Sequence, residues 1–362
     1  MTGERKPKRR QSGQPTISDV AREANCSPMT VSRVINSESS VRGATREAVL
    51  KAIKKLNYRP NRAARSLAGG EQLRIALLFD NPSSSYLAEF LMGSLEEANR
   101  SDVQLIVQAC DEGDGEDGRH HIAKLLSAGI RGFILPPPLC DDQVVLDMIV
   151  ESGGVVVAVG PGVASGPGAS VLIDDFQAAY DMTTHIIGLG HERIGFIIGN
   201  PEQVASSRRL NGFRRAMEDA GLTVDPALVV QGRFTYRSGM EASERLLAAN
   251  PRPTAIFASN DDMAAATVAV AHRCHLDVPN DITVCGFDDT DLARSIWPEL
   301  TTVRQPIRQM TAWAVACTTR LLRAKRSGDR VQSETKHMQY QLVRRESDAP
   351  PSLALQEQKS AR

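Results

Sequence analysis

The sequence predicts an all-α helix-turn-helix head joined by a hinge helix to an α/β body of two lobes. Three observations predict it. Charge is split along the chain: residues 1–70 carry 15 Lys+Arg against 5 Asp+Glu, a net of +10, while residues 71–362 carry 28 against 38, a net of −10. Two short amphipathic helical patterns lie a few residues apart within the basic part. From Leu73 onward, apolar strand runs alternate with helical stretches of roughly 12 to 18 residues, the pattern of βαβ units and parallel sheets. Such asymmetry suits a basic module for nucleic acid on an acidic body.

Residues 1–14 read as a disordered basic tail without the apolar run of a signal peptide. No stretch approaches the ~20 apolar residues that span a bilayer, so no membrane partner is expected. The six cysteines are scattered, with no Cys-x-x-Cys, and read as small buried hydrophobes in a reducing cytoplasm. Thr16-Ile-Ser-Asp19 is a capping-box pattern, and Ile17, Val20, Ala21 and Ala24 line one face of a first helix. Asn25 suits a left-handed turn residue. Ser27 is an N-cap and Pro28 an N1 residue, so the proline starts a second helix rather than breaking one. A third helix fits Thr45–Leu56. Two helices on a tight turn read as a helix-turn-helix, whose second helix enters the major groove by Ser27, Pro28, Met29, Thr30, Ser32 and Arg33.

In the body, RIALLFD, VQLIVQAC, RGFILPP, VVVAVG, RIGFIIGN, TAIFASN and ITVCGFD read as buried strands of two doubly wound lobes. Catalytic signatures are absent. Gly188-Leu-Gly190 precedes a strand instead of following one, no Gly-x-Ser-x-Gly elbow occurs, and the pairs Asp261-Asp262 and Asp288-Asp289 have no matching nucleophile. His272-Arg-Cys-His275 lacks a partner pair at ligand spacing, so it reads as a helix end rather than a metal site. No enzyme activity and no cofactor are expected.

The stretch TISDVAREANCSPMTVSRVIN, followed by TREAVLKAIKKLNYRPNRAARSLAGG, resembles the DNA-binding head of the lac/galactose repressor family over about 55 residues. It departs from the pattern at Asn25-Cys26, where Gly-Val is usual, and at Arg42, where a serine is usual. GHERIGFIIG, RRLNGFRRAM, PTAIFASNDDMA, DITVCGFDD and PELTTVRQP extend the resemblance to the family's core, which is similar to periplasmic sugar-binding proteins.

The resemblance implies a head over 15–60, a hinge helix over 61–70 and an effector-binding and dimerisation body over 71–345. The chain would cross between lobes near 172–174, 303–306 and 328–331. The N-lobe is then about 73–173 and 305–328, the C-lobe about 174–303 and 331–345 with a final strand in 337–347, and 346–362 a disordered tail. Pro28 and Met29 match the family's variable base-reading positions. Neither makes bidentate hydrogen bonds, but both offer apolar contact to a thymine methyl, and Arg33 can reach guanine. Thr16, Ser32 and Asn36 match phosphate contacts, and Tyr58 either touches phosphate or packs on the third helix. Asn61, Ala64 and Leu67 belong to the hinge, where the leucine would wedge into the minor groove. In the cleft, Arg209, Asn260, Asp288 and Phe234 match effector positions, as do Tyr86 and Asp174 less specifically. The implied function is a transcriptional repressor, cytoplasmic and nucleoid-associated. It would bind palindromic double-stranded operator DNA as a homodimer, with its interface including helix 85–100, under control of a small-molecule effector of the carbohydrate class. The alternative is a cytoplasmic solute-binding sensor with a vestigial head.

Overall fold

The computed structural model describes residues 15–35, 41–58, 72–79, 83–110, 118–162, 168–329 and 333–352, in two compact units divided after Gln72. The expected basic tail (1–14) and hinge helix (61–70) lie outside the described residues.

Among the described residues, the first unit is three helices around a small core. Thr16 caps α1 (Ile17–Glu23): the Asp19 N–H donates to Thr16 Oγ1 at 3.3 Å, and the Thr16 N–H donates to Asp19 Oδ2 at 2.9 Å. Asn25 takes φ 50°, and the Cys26 N–H closes the turn on Ala21 O at 2.9 Å. Ser27 Oγ then accepts from the Thr30 N–H at 3.1 Å, and Pro28 is the first residue of α2 (Pro28–Ile35). The third helix, α3 (Gly43–Lys55), begins two residues before the expected Thr45, because Gly43 and Ala44 fit its first turn with no capping side chain. Val20, Ala21, Val31, Val34, Val49, Ala52 and Tyr58 form the core. Tyr58, 8% exposed, packs in this core, in keeping with the packing alternative. Thr16→Ala removes the cap and is expected to cost ~1 kcal/mol of helix stability, read as roughly fivefold faster amide exchange along α1.

The second unit holds two six-stranded sheets. In the first lobe, β1 (Arg74–Phe79), β2 (Gln104–Ala109), β3 (Gly132–Leu135), β4 (Val155–Val159) and β5 (Ala169–Leu172) are connected through α4 (Ser84–Ser101), α5 (Gly118–Ser127) and α6 (Gln143–Glu151). The second lobe follows with α7 (Asp175–Gly188), β6 (Ile194–Ile198), α8 (Val204–Asp219), β7 (Val229–Gln231), α9 (Tyr236–Leu247), β8 (Ala255–Ala258), α10 (Asp261–Arg273), β9 (Thr283–Asp288), α11 (Leu292–Ser295) and β10 (Thr301–Arg304). The chain then returns to the first lobe as α12 (Ile307–Ser327) and ends with β11 (Thr335–His337) and β12 (Gln341–Val343). Strand orders are β11-β5-β4-β3-β1-β2 and β12-β10-β9-β8-β6-β7, all pairs parallel except β12 with β10. The strands of β3, β4, β8 and β9 are buried throughout, as parallel sheets covered on both faces require. Among the described residues, no helix is long and apolar enough to cross a membrane.

Between β5 and α7, and between β10 and α12, the chain passes from one lobe to the other at 173–174 and 305–306. The third passage lies at 338–340, not at 328–331. After Gly328 (φ 77°) ends α12, β11 first pairs with β5, and only then does β12 join the other sheet. Of the expected strand over 337–347, only Gln341–Val343 is a strand of the second lobe (β12), and His337 ends β11 on the other sheet. Residues 346–352 are no loose tail: Ser347 and Asp348 are buried, Ser347 Oγ accepts from the Thr301 N–H at 2.9 Å, and Asp348 Oδ2 lies 2.8 Å from His185 Nε2. These bonds anchor the segment to the second lobe. Residues 353–362 lie outside the described ones.

Candidate functional site

The outer face of α2 is built by its own periodicity. With Val31 and Val34 turned into the core, Pro28, Met29 and Arg33 face outward, and Met29 is 65% exposed. Met29 and Arg33 are one turn apart, and Arg33 Nη2 approaches Met29 Sδ at 3.8 Å, so the thioether and the guanidinium share one surface. Ser27 and Thr30 bond each other at 2.9 Å while capping the helix, and Ser32 is half-buried beside them. Thr16 is exposed at the start of α1. Asn36, Asn61, Ala64 and Leu67 lie outside the described residues.

In the second unit a small cavity of about 40 Å³ opens between the lobes. Its walls follow the carboxyl ends of the parallel strands, where such sheets bind ligands. The first lobe supplies Ser83 and Tyr86 at the start of α4, Pro137 after β3 and Gly160 after β4. From the second lobe come Asp175 on α7, Gln203, Ala205 and Arg209 around α8, Phe234 after β7, Asn260 after β8 and Asp288 ending β9, with Gln305 in the crossover. The lobes meet across the mouth: Ser83 Oγ donates to Asp262 Oδ2 at 2.6 Å, and Gly162 packs so closely on Val204 that a Cβ there would lie 2.0 Å from it.

Arg209 is the hub. Its Nε donates to Asp175 Oδ1 at 2.8 Å, its Nη1 donates to Ser259 O at 2.5 Å, and the guanidinium carbon lies 3.6 Å from the Phe287 ring centroid. Phe234 takes φ 61°, and its ring occupies the space a side chain at position 199 would need, which explains Gly199. Asn260 caps α10 through the Met263 N–H and donates to Phe234 O at 3.0 Å, so it braces the Phe234 loop as well as lining the cavity. Gln203 Nε2 is buried with no hydrogen-bond partner among the described residues. Asp288 sits at φ 110°, a conformation costly for any residue but glycine and typical of functional sites. Gln305 Nε2 donates to Asp288 Oδ1 at 2.6 Å. Burial pushes the Asp288 carboxyl up to about 7, against the pull of Arg209 and Gln305 and with help from Asp262 and Asp175. Burial also raises the carboxyls of Asp261 and Asp262 and, with Asp288, the Tyr86 phenol.

Residues 16–61 match the family described as bacterial regulatory proteins, lacI family, and residues 183–347 match a periplasmic binding protein-like domain. Catabolite control protein A of Priestia megaterium is 34% identical over 308 residues, covering 85% of this chain and 92% of that protein. The chain belongs to the lacI family of bacterial regulatory proteins. Among solved structures, the complex of the transcriptional regulator CelR with cellobiose is 31% identical with a TM-score of 0.67, over 92% of this chain and 100% of that one. The lac repressor dimer bound to operator and the anti-inducer ONPF is 26% identical with a TM-score of 0.69, over 93% and 99%. This lacI-family protein is a DNA-binding transcriptional regulator and not an enzyme.

Of the six cleft residues read from the sequence, five line the regulator's cavity: Tyr86, Arg209, Phe234, Asn260 and Asp288. Asp174 does not. It is the N-cap of α7, accepting from the Gln177 N–H at 3.1 Å and pairing with Arg208 on the surface, while the next residue, Asp175, faces Arg209. Ser83, Asp175, Gln203 and Gln305 were not foreseen. The Asp288 carboxyl implies a pH effect of definite sign. The folded protein keeps this proton up to about pH 7, whereas the unfolded chain releases it near 3.8, so stability falls as pH rises through that window. Asp288→Asn is expected to raise the melting temperature by a few degrees at pH 8 and to leave it unchanged at pH 4, as melts across pH would record.

Proposed function

We propose that the regulator is a cytoplasmic, nucleoid-associated repressor, which binds a palindromic operator as a homodimer and responds to a carbohydrate or related polyhydroxylated effector in the inter-lobe cleft. The observation that carries the reading is the cleft itself: a cavity at the strand carboxyl ends, with a fixed arginine, carboxylate and amide groups, and an aromatic ring at Phe234. Such a lining offers hydroxyl groups both donors and acceptors, and the ring offers an apolar face to a pyranose. The CelR complex with cellobiose supports it by analogy. On the DNA side, α2 would enter the major groove by Ser27, Pro28, Met29, Thr30, Ser32 and Arg33, with Thr16 and Asn36 on phosphates and Asn61, Ala64 and Leu67 at the dyad. Closure of the cleft would bias hinge pairing between two subunits, the element through which effector and operator are coupled.

The test is operator selection from random duplexes, followed by titration of the selected site at several salt concentrations with and without sugars. A repressor of this kind loses affinity steeply with salt and selects an inverted repeat. No salt-dependent binding to any duplex would leave the cleft as a sensor without an operator.

A further inference from the structure

Among the described residues lining the cleft, Arg209 is the one cation, and it is already engaged. Its Nε edge is held by Asp175, the two side chains being 6% and 7% exposed. Nη1 is turned toward Ser259 O and lies 3.7 Å from Asp288 Oδ1. Phe287 covers a face of the guanidinium. One carboxylate, Asp175, thus neutralises the guanidinium in a buried site, while Asp288, whose carboxyl burial pushes up to about 7, adds no fixed charge beside it. Where water is excluded, an anionic ligand meets no uncompensated positive charge there and is opposed by the Asp175 carboxylate. A free arginine would present the paired N–H groups that clamp phosphate or carboxylate, but here that edge is occupied.

We infer that Asp175 is a positioning residue that sets the charge selectivity of the cleft: by holding the Nε edge of Arg209 it turns an anion clamp into a fixed donor for uncharged hydroxyl groups, so the regulator takes neutral sugars or polyols and rejects phosphorylated and carboxylated ones. The inference rests on the cleft being the effector site and adds the charge class of its ligand. Asp174, one residue earlier, cannot perform this role, because it faces solvent and Arg208.

The experiment uses the full chain and inorganic phosphate as probe, against sodium chloride at equal ionic strength, with melting temperature as readout. The wild type is expected to show no saturable response that depends on Arg209. Asp175→Asn, nearly isosteric, should bind phosphate at least ~10-fold more tightly, a change of about 1.4 kcal/mol, and so acquire a saturable rise. Asp175→Asn/Arg209→Gln should lose that rise, and Asp175→Glu should behave as the wild type. A folded Asp175→Asn that gains no phosphate binding overturns the inference. So does a saturable phosphate response of the wild type that Arg209→Gln abolishes, and this arm decides even if Asp175→Asn fails to fold. Glucose and glucose 6-phosphate on the wild type give a second reading: stabilisation by the phosphate ester alone overturns the charge assignment. Failure of every neutral sugar tried counts against the carbohydrate reading, while the phosphate arms still decide the role of Asp175.

Discussion

Arg209→Ala is expected to lower the melting temperature of the effector-binding unit by on the order of 10 °C and to abolish the response to effector. At a temperature where the variant is folded, operator affinity should change by less than about twofold. The stability loss follows from burial. Asp175, 7% exposed, loses its partner, and removing one member of a buried pair costs ~3–5 kcal/mol because the remaining charge stays uncompensated. Ser259 O loses its donor, and Phe287 loses the cation stacked on it. In a protein of this size each kcal/mol corresponds to about 2–4 °C. The double variant Arg209→Leu/Asp175→Leu separates the two effects. With both charges replaced by apolar groups, most of the stability should return, since well-packed hydrophobes replace a buried pair at little cost. The effector response should not return. Melts of the wild type and the two variants, with operator titrations in the presence and absence of ligand, provide the readout. A double variant that melts as low as Arg209→Ala would mean that the loss comes from packing around Phe287, not from the unpaired carboxylate.

How far the sequence carries is best seen in particular elements. The head was legible because its signals are local: the Thr16 cap, the Asn25 turn and the Ser27-Pro28 start each act within a few residues, and each is found in place. The strands β1, β3, β4, β6, β8 and β9 were legible as continuous apolar runs, whereas β2, read the same way, is an edge strand with no buried residue. Three short strands, β5, β7 and β11, carried no such signal. The exposed Thr-Lys-His of β11 owes its conformation to pairing with β5. That pairing also delays the third crossover beyond the end of α12. In the cleft, residues at strand ends could be placed from their neighbours along the chain. Asp175 could not be told from Asp174, because two adjacent aspartates at a helix start differ only in the direction each faces, and the packing of α7 on α8 settles that. Ser83 meets Asp262 across 179 positions of sequence, a pairing no local pattern encodes.

On the DNA side the largest effect belongs to Arg33. Arg33→Ala should relax discrimination at one guanine of each half-site by ~1–3 kcal/mol, the value of a good bidentate pair, and lower the salt slope if the guanidinium also neutralises a phosphate. Met29 should act differently. Its side chain, 65% exposed, has no donor, so in the proposed docking it would discriminate by contact with a thymine methyl. Replacing that thymine by uracil removes one methyl and keeps every hydrogen-bonding group. The expected loss is about 1 kcal/mol, Met29→Ala on the normal operator should lose a similar amount, and the two together little more than either alone, since they delete opposite sides of one contact. The structure adds a coupling the chain alone did not reveal. Arg33 Nη2 rests 3.8 Å from Met29 Sδ, so the thioether also restrains the guanidinium. Met29→Ala should therefore weaken guanine discrimination as well, and Met29→Ala/Arg33→Ala should cost less than the sum of its parts. Titrations over guanine- and thymine-substituted operators measure each term. Strict additivity of the two variants would show that Arg33 reaches the base without Met29, and no loss at any uracil would leave Met29 filling space against the sugar-phosphate wall, with Arg33 and Thr30 reading the sequence by themselves.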